Sequence, residues 1–315
     1  MRLLATTPET EEFLQQWYSD SEYIIAHTSG STGKPKEIRL LKSDMIASAD
    51  ATNRFFSIGP DSRLVCPLSA SYIAGKMMIV RAIRADATLE MLTPSNRLEL
   101  HGDITLLPVV PSQIGSLVNL NGVNVENLIV GGAPLTADME KKLISYPSNS
   151  YATYGMTETC SHVALRKVGE PMFEALPGVS FSIDEKQRLQ LELPQFSFKR
   201  LSTNDIVELH TPTSFRWLGR YDNVVNSGGI KLFPEEIERE LTPFVKGDFY
   251  LCGLPHPLWG EQLVMCVTPD TVVDRHAMEI VIPHYRLPKQ TIVLPAFQYT
   301  STGKLRRTLD EQQKL

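Results

Sequence analysis

The run His27-Thr28-Ser29-Gly30-Ser31-Thr32-Gly33-Lys34-Pro35-Lys36 decides how this chain is read. A short β-rich segment, Tyr23 to His27, leads into it. Glycines let backbone N–H groups turn inward as an anion nest, hydroxyls donate to phosphate oxygens, and lysines neutralise charge. A Ser/Gly linker has no reason to end in Lys-Pro-Lys. The G-x-x-x-x-G-K-[ST] phosphate loop fails on spacing: it needs glycine and a hydroxyl where Thr28 and Pro35 stand. Thr28, Ser29, Gly30, Ser31, Thr32, Gly33 and Lys34 therefore read as a phosphate loop of another design that follows a strand.

Outward from this loop, strands and helices alternate. Ser43 and Asp44 are placed to cap a helix from Met45 to Phe56. Leu64 to Pro67 reads as a strand and Gly75 to Ala85 as a helix. Thr88 to Leu92, Ile104 to Leu107 and Leu128 to Val130 read as strands, and Thr136 caps a helix from Ala137 to Ile144. Upstream, Thr7-Pro8-Glu9 opens a helix to about Tyr18. That alternation predicts an α/β domain with a largely parallel sheet covered on both faces. After about residue 166, Val179 to Ile183, Leu189 to Leu193, Ile206 to Leu209 and Ser214 to Leu218 predict a small antiparallel β subdomain. Beyond Arg220 the pattern restarts with a helix from Pro234 to Leu241, strands Phe249 to Gly253 and Leu263 to Val267, and a helix around Arg275 to Ile282. The expected division is a large domain over 1–220 and a small α+β domain over 221–315.

Composition fits this division. A single core rarely grows past about 250–300 residues, and the chain has 315. Hydrophobic residues at 42% and charged residues at 21% exclude collagen, coiled coil and wholesale disorder. Thirty-six acidic against 31 basic residues give a net charge of −5, so no basic footprint for nucleic acid is expected. No apolar run approaches the roughly 20 residues that cross a bilayer. The acidic start, with Glu9, Glu11, Glu12 and Asp20, lacks a signal-peptide core. Cys66, Cys160, Cys252 and Cys266 form no C-x-x-C and are expected as reduced thiols of a cytosolic protein.

Further motifs follow in order. Gly131-Gly132-Ala133-Pro134, Tyr154-Gly155-Met156-Thr157-Glu158, Thr203-Asn204-Asp205, Gly219-Arg220-Tyr221-Asp222, Ser227-Gly228-Gly229-Ile230-Lys231 and Thr300-Ser301-Thr302-Gly303-Lys304-Leu305-Arg306 join the phosphate loop. Together they resemble the signature segments of the adenylate-forming superfamily of acyl- and aryl-CoA synthetases, luciferases and adenylation domains. His27, Glu37 and Asn204 depart from its usual residues without removing a phosphate donor. The region before the phosphate loop is short for the superfamily, so the first domain is expected to be truncated at its start.

The resemblance implies roles. The loop from Thr28 to Lys34, with Gly131, Gly132, Ala133, Tyr154 and Gly155, would bind ATP, with Tyr154 on the adenine. Asp205 and Arg220 would hold the ribose, Arg220 alternatively the phosphate. Thr157 would meet the α-phosphate, Glu158 would bind Mg²⁺, and Lys304 would be the adenylation lysine. Asp222 would be the hinge of a mobile C-terminal domain, and Gly228 and Gly229 would line the tunnel for CoA. Such chemistry activates a carboxylate as an acyl adenylate and passes the acyl group to a thiol, mostly by positioning and charge neutralisation.

The run Gly155 to Ser161, and Asp222-Asn223 leading to Ser227-Gly228-Gly229, resemble the o-succinylbenzoate–CoA ligase group of menaquinone synthesis. The segment Pro67 to Gly75 resembles the superfamily's acyl-pocket motif, which draws Tyr72 and Gly75 to the acid. In these ligases a cation follows the glycine by six residues, which here is Arg81. Arg81 would then hold the second carboxylate of the diacid, with His162 lining the pocket. A solvated helix position, beside Lys76 and Arg84, is the alternative for Arg81, and a structural role the alternative for His162. Other aryl- or acyl-CoA ligases, carrier-protein-loading enzymes and an inactive paralogue serving as a binding module also fit. The expected partners are the acid, ATP and CoA, in a monomer or homodimer.

Overall fold

The computed structural model describes residues 1–28, 36–117, 122–146, 148–299, 305–307 and 309. Strand β1 (Arg2–Ala5) precedes helix α1 (Pro8–Tyr18), whose N-cap Thr7 accepts from the Thr10 N–H at 3.4 Å. Strands β2 (Tyr23–Thr28) and β3 (Lys36–Leu41) pair antiparallel, so the quoted loop joins two strands of a hairpin. Ile24, Ala26 and Leu40 point into the core.

Helix α2 (Lys42–Phe55) follows without a break. The expected caps Ser43 and Asp44 are displaced: Leu41 occupies the N-cap and no side chain caps the helix. Asp44 is buried instead, and its carboxylate accepts from the Ser197 N–H at 2.8 Å and hydroxyl at 2.7 Å. A buried carboxylate needs such donors, and that need outweighs an exposed capping role.

Strand β4 (Arg63–Cys66), helix α3 (Ile73–Ala85), strands β5 (Thr88–Met91) and β6 (Gly102–Val109), helix α4 (Ile114–Leu117), strand β7 (Val123–Val130), helix α5 (Ala137–Ser145) and strand β8 (Asn149–Gly155) complete the parallel section. Its order is β1-β5-β4-β6-β7-β8. Helix α3 is buried almost all round, with Met77, Met78, Ile79 and Val80 at 0% exposure. It lies so close to the preceding segment that a Cβ on Gly75 would sit 2.3 Å from the Ser69 carbonyl oxygen.

Strands β9 (His162–Lys167), β10 (Phe173–Ala175), β11 (Ser180–Ile183), β12 (Arg188–Leu193), β13 (Lys199–Thr211) and β14 (Ser214–Arg220) form the antiparallel section. They extend the same sheet in the order β8-β9-β10-β14-β13-β12-β11, giving 12 hydrogen-bonded strands among the described residues. Antiparallel β9 satisfies the edge that β8 would otherwise leave open.

Past a turn at Tyr221–Asn223, strands β15 (Val225–Ser227) and β16 (Ile230–Leu232) lead to helix α6 (Pro234–Leu241). Then come β17 (Val245–Lys246), β18 (Phe249–His256), β19 (Gly260–Val267), β20 (Val272–Val273), helix α7 (Arg275–Val281) and β21 (Gln290–Val293). One cluster here gathers Ile237, Leu241, Leu251 and Met265; another gathers Tyr250, Cys252, Cys266 and Leu309. The described end of the chain therefore lies on this small sheet.

Candidate active site

Parallel strands β7 and β8 are in register, with Val130 opposite Ala152, so Gly131 and Gly132 lie beside Tyr154 and Gly155 at the carboxyl ends. Open α/β sheets bind ligands at such ends. Gly131 is required by crowding, because a Cβ there would lie 2.5 Å from Thr153 Oγ1. Ala133 is exposed beyond it.

Tyr154 closes one side. Its hydroxyl donates to Asp205 Oδ2 at 2.6 Å, and its ring meets Phe215 edge-on at 5.1 Å. The Trp217 indole donates to Asp205 Oδ1 at 3.2 Å, and the Arg220 guanidinium stands 3.8 Å from the same oxygen. Burial, then the neighbouring Asp205 charge, holds the Tyr154 phenol well above its usual pKa, so it remains a donor. Tyr154, Asp205 and Arg220 are thus brought together. Sequence reading missed Trp217; its signal was period-two placement with Phe215 on the strand that ends at Arg220.

After Gly155 the chain doubles back through a 3-10 turn, Thr157–Thr159. A Cβ on Gly155 would lie 2.2 Å from the Ser161 carbonyl oxygen, so only glycine permits the return. Thr157 is half-buried at the start of this turn. Glu158 is exposed and has no hydrogen bond or ion pair with a described residue. No group of three or more candidate metal ligands occurs among the described residues. A single free carboxylate suits Mg²⁺, which takes its remaining oxygens from water and substrate phosphates.

Arg81 lies in a separate buried cluster. It is 2% exposed and forms no ion pair with any described residue. Nη2 donates to Ser161 Oγ at 2.7 Å and Nη1 to Met78 Sδ at 3.4 Å, while Nε is buried without a partner. Ser161 Oγ is 3.1 Å from Ser48 Oγ, and His162 Nε2 is 3.2 Å from Thr52 Oγ1. Burial pushes the guanidinium down to about 10, so it stays charged at neutral pH. Burial, then the Arg81 charge, pushes the His162 imidazole well below its usual value. Arg81 is therefore not a solvated helix residue. His162 joins its cluster, Gly75 seats its helix, and Tyr72 remains 65% exposed.

Asp222 is exposed in the turn after β14, beside the Asn204 side chain and 3.9 Å from Arg220. Gly228 and Gly229, at φ 58° and 83°, make the two-residue turn from β15 to β16, which demands positive φ twice. The Gly228 N–H donates to the Trp259 carbonyl at 2.9 Å, and the Trp259 indole stacks on His256 at 4.1 Å. Trp259 was also missed in the sequence. Near the end, Arg307 pairs with Glu238 and donates to the Leu251 carbonyl at 3.1 Å. The side chain of Thr28, residues Ser29, Gly30, Ser31, Thr32, Gly33 and Lys34, and Lys304 lie outside the described residues.

Residues 5–186, more than half of the chain, match the family model described as AMP-binding enzyme. The chain belongs to the AMP-binding enzyme family. It is 23% identical to the 2-succinylbenzoate–CoA ligase of Listeria monocytogenes, over 97% of this chain and 73% of that one. It is 24% identical to the ligase of the same name from Staphylococcus aureus strain Newman, over 90% of this chain and 65% of that one. Among solved structures, the acyl-CoA synthetase (AMP-forming)/AMP-acid ligase II-like protein from Dyadobacter fermentans is 29% identical, with a TM-score of 0.64 over 95% of this chain and 91% of that one. The o-succinylbenzoate CoA synthetase of Bacillus subtilis, solved with its acyl-adenylate intermediate, is 19% identical, with a TM-score of 0.73 over 89% of this chain and 67% of that one. No described helix is long and apolar enough to cross a membrane.

Proposed function

We propose that this chain is an AMP-forming acid–CoA ligase that converts 2-succinylbenzoate to its CoA thioester in menaquinone biosynthesis. The observation that carries the acid is Arg81, a fully buried cation with an unpartnered Nε and no carboxylate from the described chain. A lone buried charge is costly, and a ring carboxylate would supply the missing partner bidentately. The relatives' names give the same acid.

In the first half-reaction the aliphatic carboxylate oxygen attacks the α-phosphorus of ATP and pyrophosphate leaves. The barrier is electrostatic, since an anion approaches a polyanion, so donors and cations do the work. Thr157 would donate to the α-phosphate, Asp205 would accept from the ribose, and Tyr154 would flank the base. Ser29 to Lys34 and Lys304 would neutralise the phosphates. Glu158 would hold Mg²⁺, which when bound neutralises phosphate charge.

In the second half-reaction the CoA sulfur attacks the acyl carbon, AMP leaves, and the thiol proton passes to solvent. A swing of residues 221–315 about Asp222 would withdraw Lys304 and present Gly228 and Gly229, with Trp259 beside them, to the thiol. The sequence of steps needs no enzyme thiol, and all four cysteines are buried. Burial pushes the Cys66 thiol up to about 12.

The test is pyrophosphate release with ATP, Mg²⁺ and a panel of 2-succinylbenzoate, benzoate and fatty acids, each with and without CoA. Release with 2-succinylbenzoate, and thioester only with CoA, is expected. Release with another acid alone would keep the mechanism and overturn the substrate. Absence of ATP binding would favour an inactive paralogue acting as a binding module.

A further inference from the structure

We infer that Ser161, held by Ser48, is a positioning residue that orients Arg81 and so sets the preference for an acid bearing a second carboxylate. This inference rests on the reading above. A guanidinium has five N–H donors and accepts nothing, so the 2.7 Å contact is donated by Arg81 and accepted by Ser161. The other contact, to the Met78 thioether at 3.4 Å, is weak and leaves the plane of the fork undefined. Ser161 is therefore the group that fixes that plane. Ser48, on α2 and 3% exposed, lies 3.1 Å from Ser161 Oγ and fixes the hydroxyl in turn.

The turn that presents Ser161 is built for the task. Cys160, fully buried, adopts φ 62°, which residues other than glycine rarely do. Such outliers persist only where surrounding bonds over-determine them. Here the Thr159 hydroxyl donates to the Ser161 carbonyl at 2.7 Å, the Ser161 N–H donates to the Thr159 carbonyl at 2.7 Å, and Gly155 leaves room for the return. The same turn carries Thr157 and Glu158. One segment thus joins the nucleotide end of the site to the cation at the acid end.

Among the described residues no carboxylate pairs with that cation. Asp44, on the same helix as Ser48, is satisfied by Ser197. With Nη2 tied to Ser161 and Nη1 to Met78, Nε is the guanidinium nitrogen without a partner among the described residues. Without the Ser161 hydroxyl the fork would turn about its last side-chain torsions and offer its donors in no fixed direction. Dicarboxylate binding would suffer, and the chemistry at the distant carboxyl would not.

The experiment compares 2-succinylbenzoate with 4-oxo-4-phenylbutanoate, the same keto acid without the ring carboxylate, in wild type, Ser161→Ala, Ser161→Thr and Arg81→Met. Ser161→Ala is expected to raise KM for 2-succinylbenzoate about tenfold, the worth of one charge-assisted hydrogen bond. kcat, KM for the monoacid and KM for ATP stay near wild type, and Ser161→Thr, which keeps the hydroxyl, restores KM. If Ser161→Ala keeps the wild-type preference while Arg81→Met loses it, the inference falls and the Arg81 reading stands. A wild type indifferent to the ring carboxylate overturns both. A uniform fall in kcat for both acids marks a merely structural role and overturns the inference. Should Ser161→Ala fail to fold, Ser48→Ala carries the same comparison.

Discussion

The hydroxyl of Tyr154 donates to Asp205 at 2.6 Å, tying the end of β8 to β13 across 51 positions of sequence. Removing that hydroxyl leaves a buried carboxylate with one donor fewer. Tyr154→Phe is expected to cost about 1–3 kcal/mol of stability and to raise KM for ATP more than KM for the acid. Thermal or denaturant unfolding and steady-state kinetics on the one variant check both parts. An unchanged ATP KM would detach this pair from the nucleotide.

Lys304→Ala is expected to abolish adenylate formation and to spare thioester formation from supplied acyl adenylate. Pyrophosphate exchange reads the first step and thioester yield the second. Equal loss of both would remove the proposed division of labour between Lys304 and the Gly228–Gly229 turn.

Arg307 and Glu238 pair on the small sheet, and the chain's described end is held there. Both side chains are partly shielded, at 18% and 17% exposure. Arg307→Ala leaves Glu238 without its cation, and burial already pushes that carboxyl upward. A loss of about 1–3 kcal/mol is expected, the cost of leaving a partly buried acceptor unsatisfied, with the first half-reaction slowed more than the second because Lys304 lies on the same tail. The double variant Arg307→Ala/Glu238→Gln should lose less than the sum of the single changes. Additive losses would show that the two side chains do not act as a pair.

His162 carries a pH signature. Its folded pKa is depressed, by burial first and Arg81 second, whereas the unfolded chain titrates near about 6.5. Below that value the unfolded state binds the extra proton, so stability is present above the unfolded pKa and declines as pH falls. The expected slope is up to about 1.4 kcal/mol per pH unit. Denaturant unfolding of wild type and His162→Gln between pH 7 and pH 5, about the unfolded value, isolates it. Parallel curves would mean that His162 titrates alike in both states.

The alternation of strands and helices was readable because each element carries its own periodicity and caps, as Thr7 and Thr136 illustrate. The second arm of the hairpin, β3, was not. Its Lys-Glu-Ile-Arg sequence has one exposed face, and only pairing with β2 reveals it. Continuity of the antiparallel strands with the parallel sheet was equally hidden, since it rests on β9 pairing with β8 rather than on local pattern. At the candidate site, residues inside motifs were found by their spacing. Trp217 and Ser48 were not, because each acts through a contact from a distant element, and Ser161 closed a quoted run without a role, because its contact with Arg81 is long-range. Asp44 misled for the opposite reason, since a helix-start acid looks like a cap until Ser197 is folded against it.

The unpaired Arg81 also bears on how long the molecule survives in a cell. A protein holding a buried charge without its counter-ion is least stable when its ligand is scarce. A ligand at a hundredfold its Kd adds about 2.7 kcal/mol to the folded state, and changes of that size alter steady-state abundance through proteolysis. The acid would thus act as its own enzyme's preservative. Enzyme half-life would track the supply of dicarboxylate, and clearance would quicken when that supply stops, with no dedicated regulator.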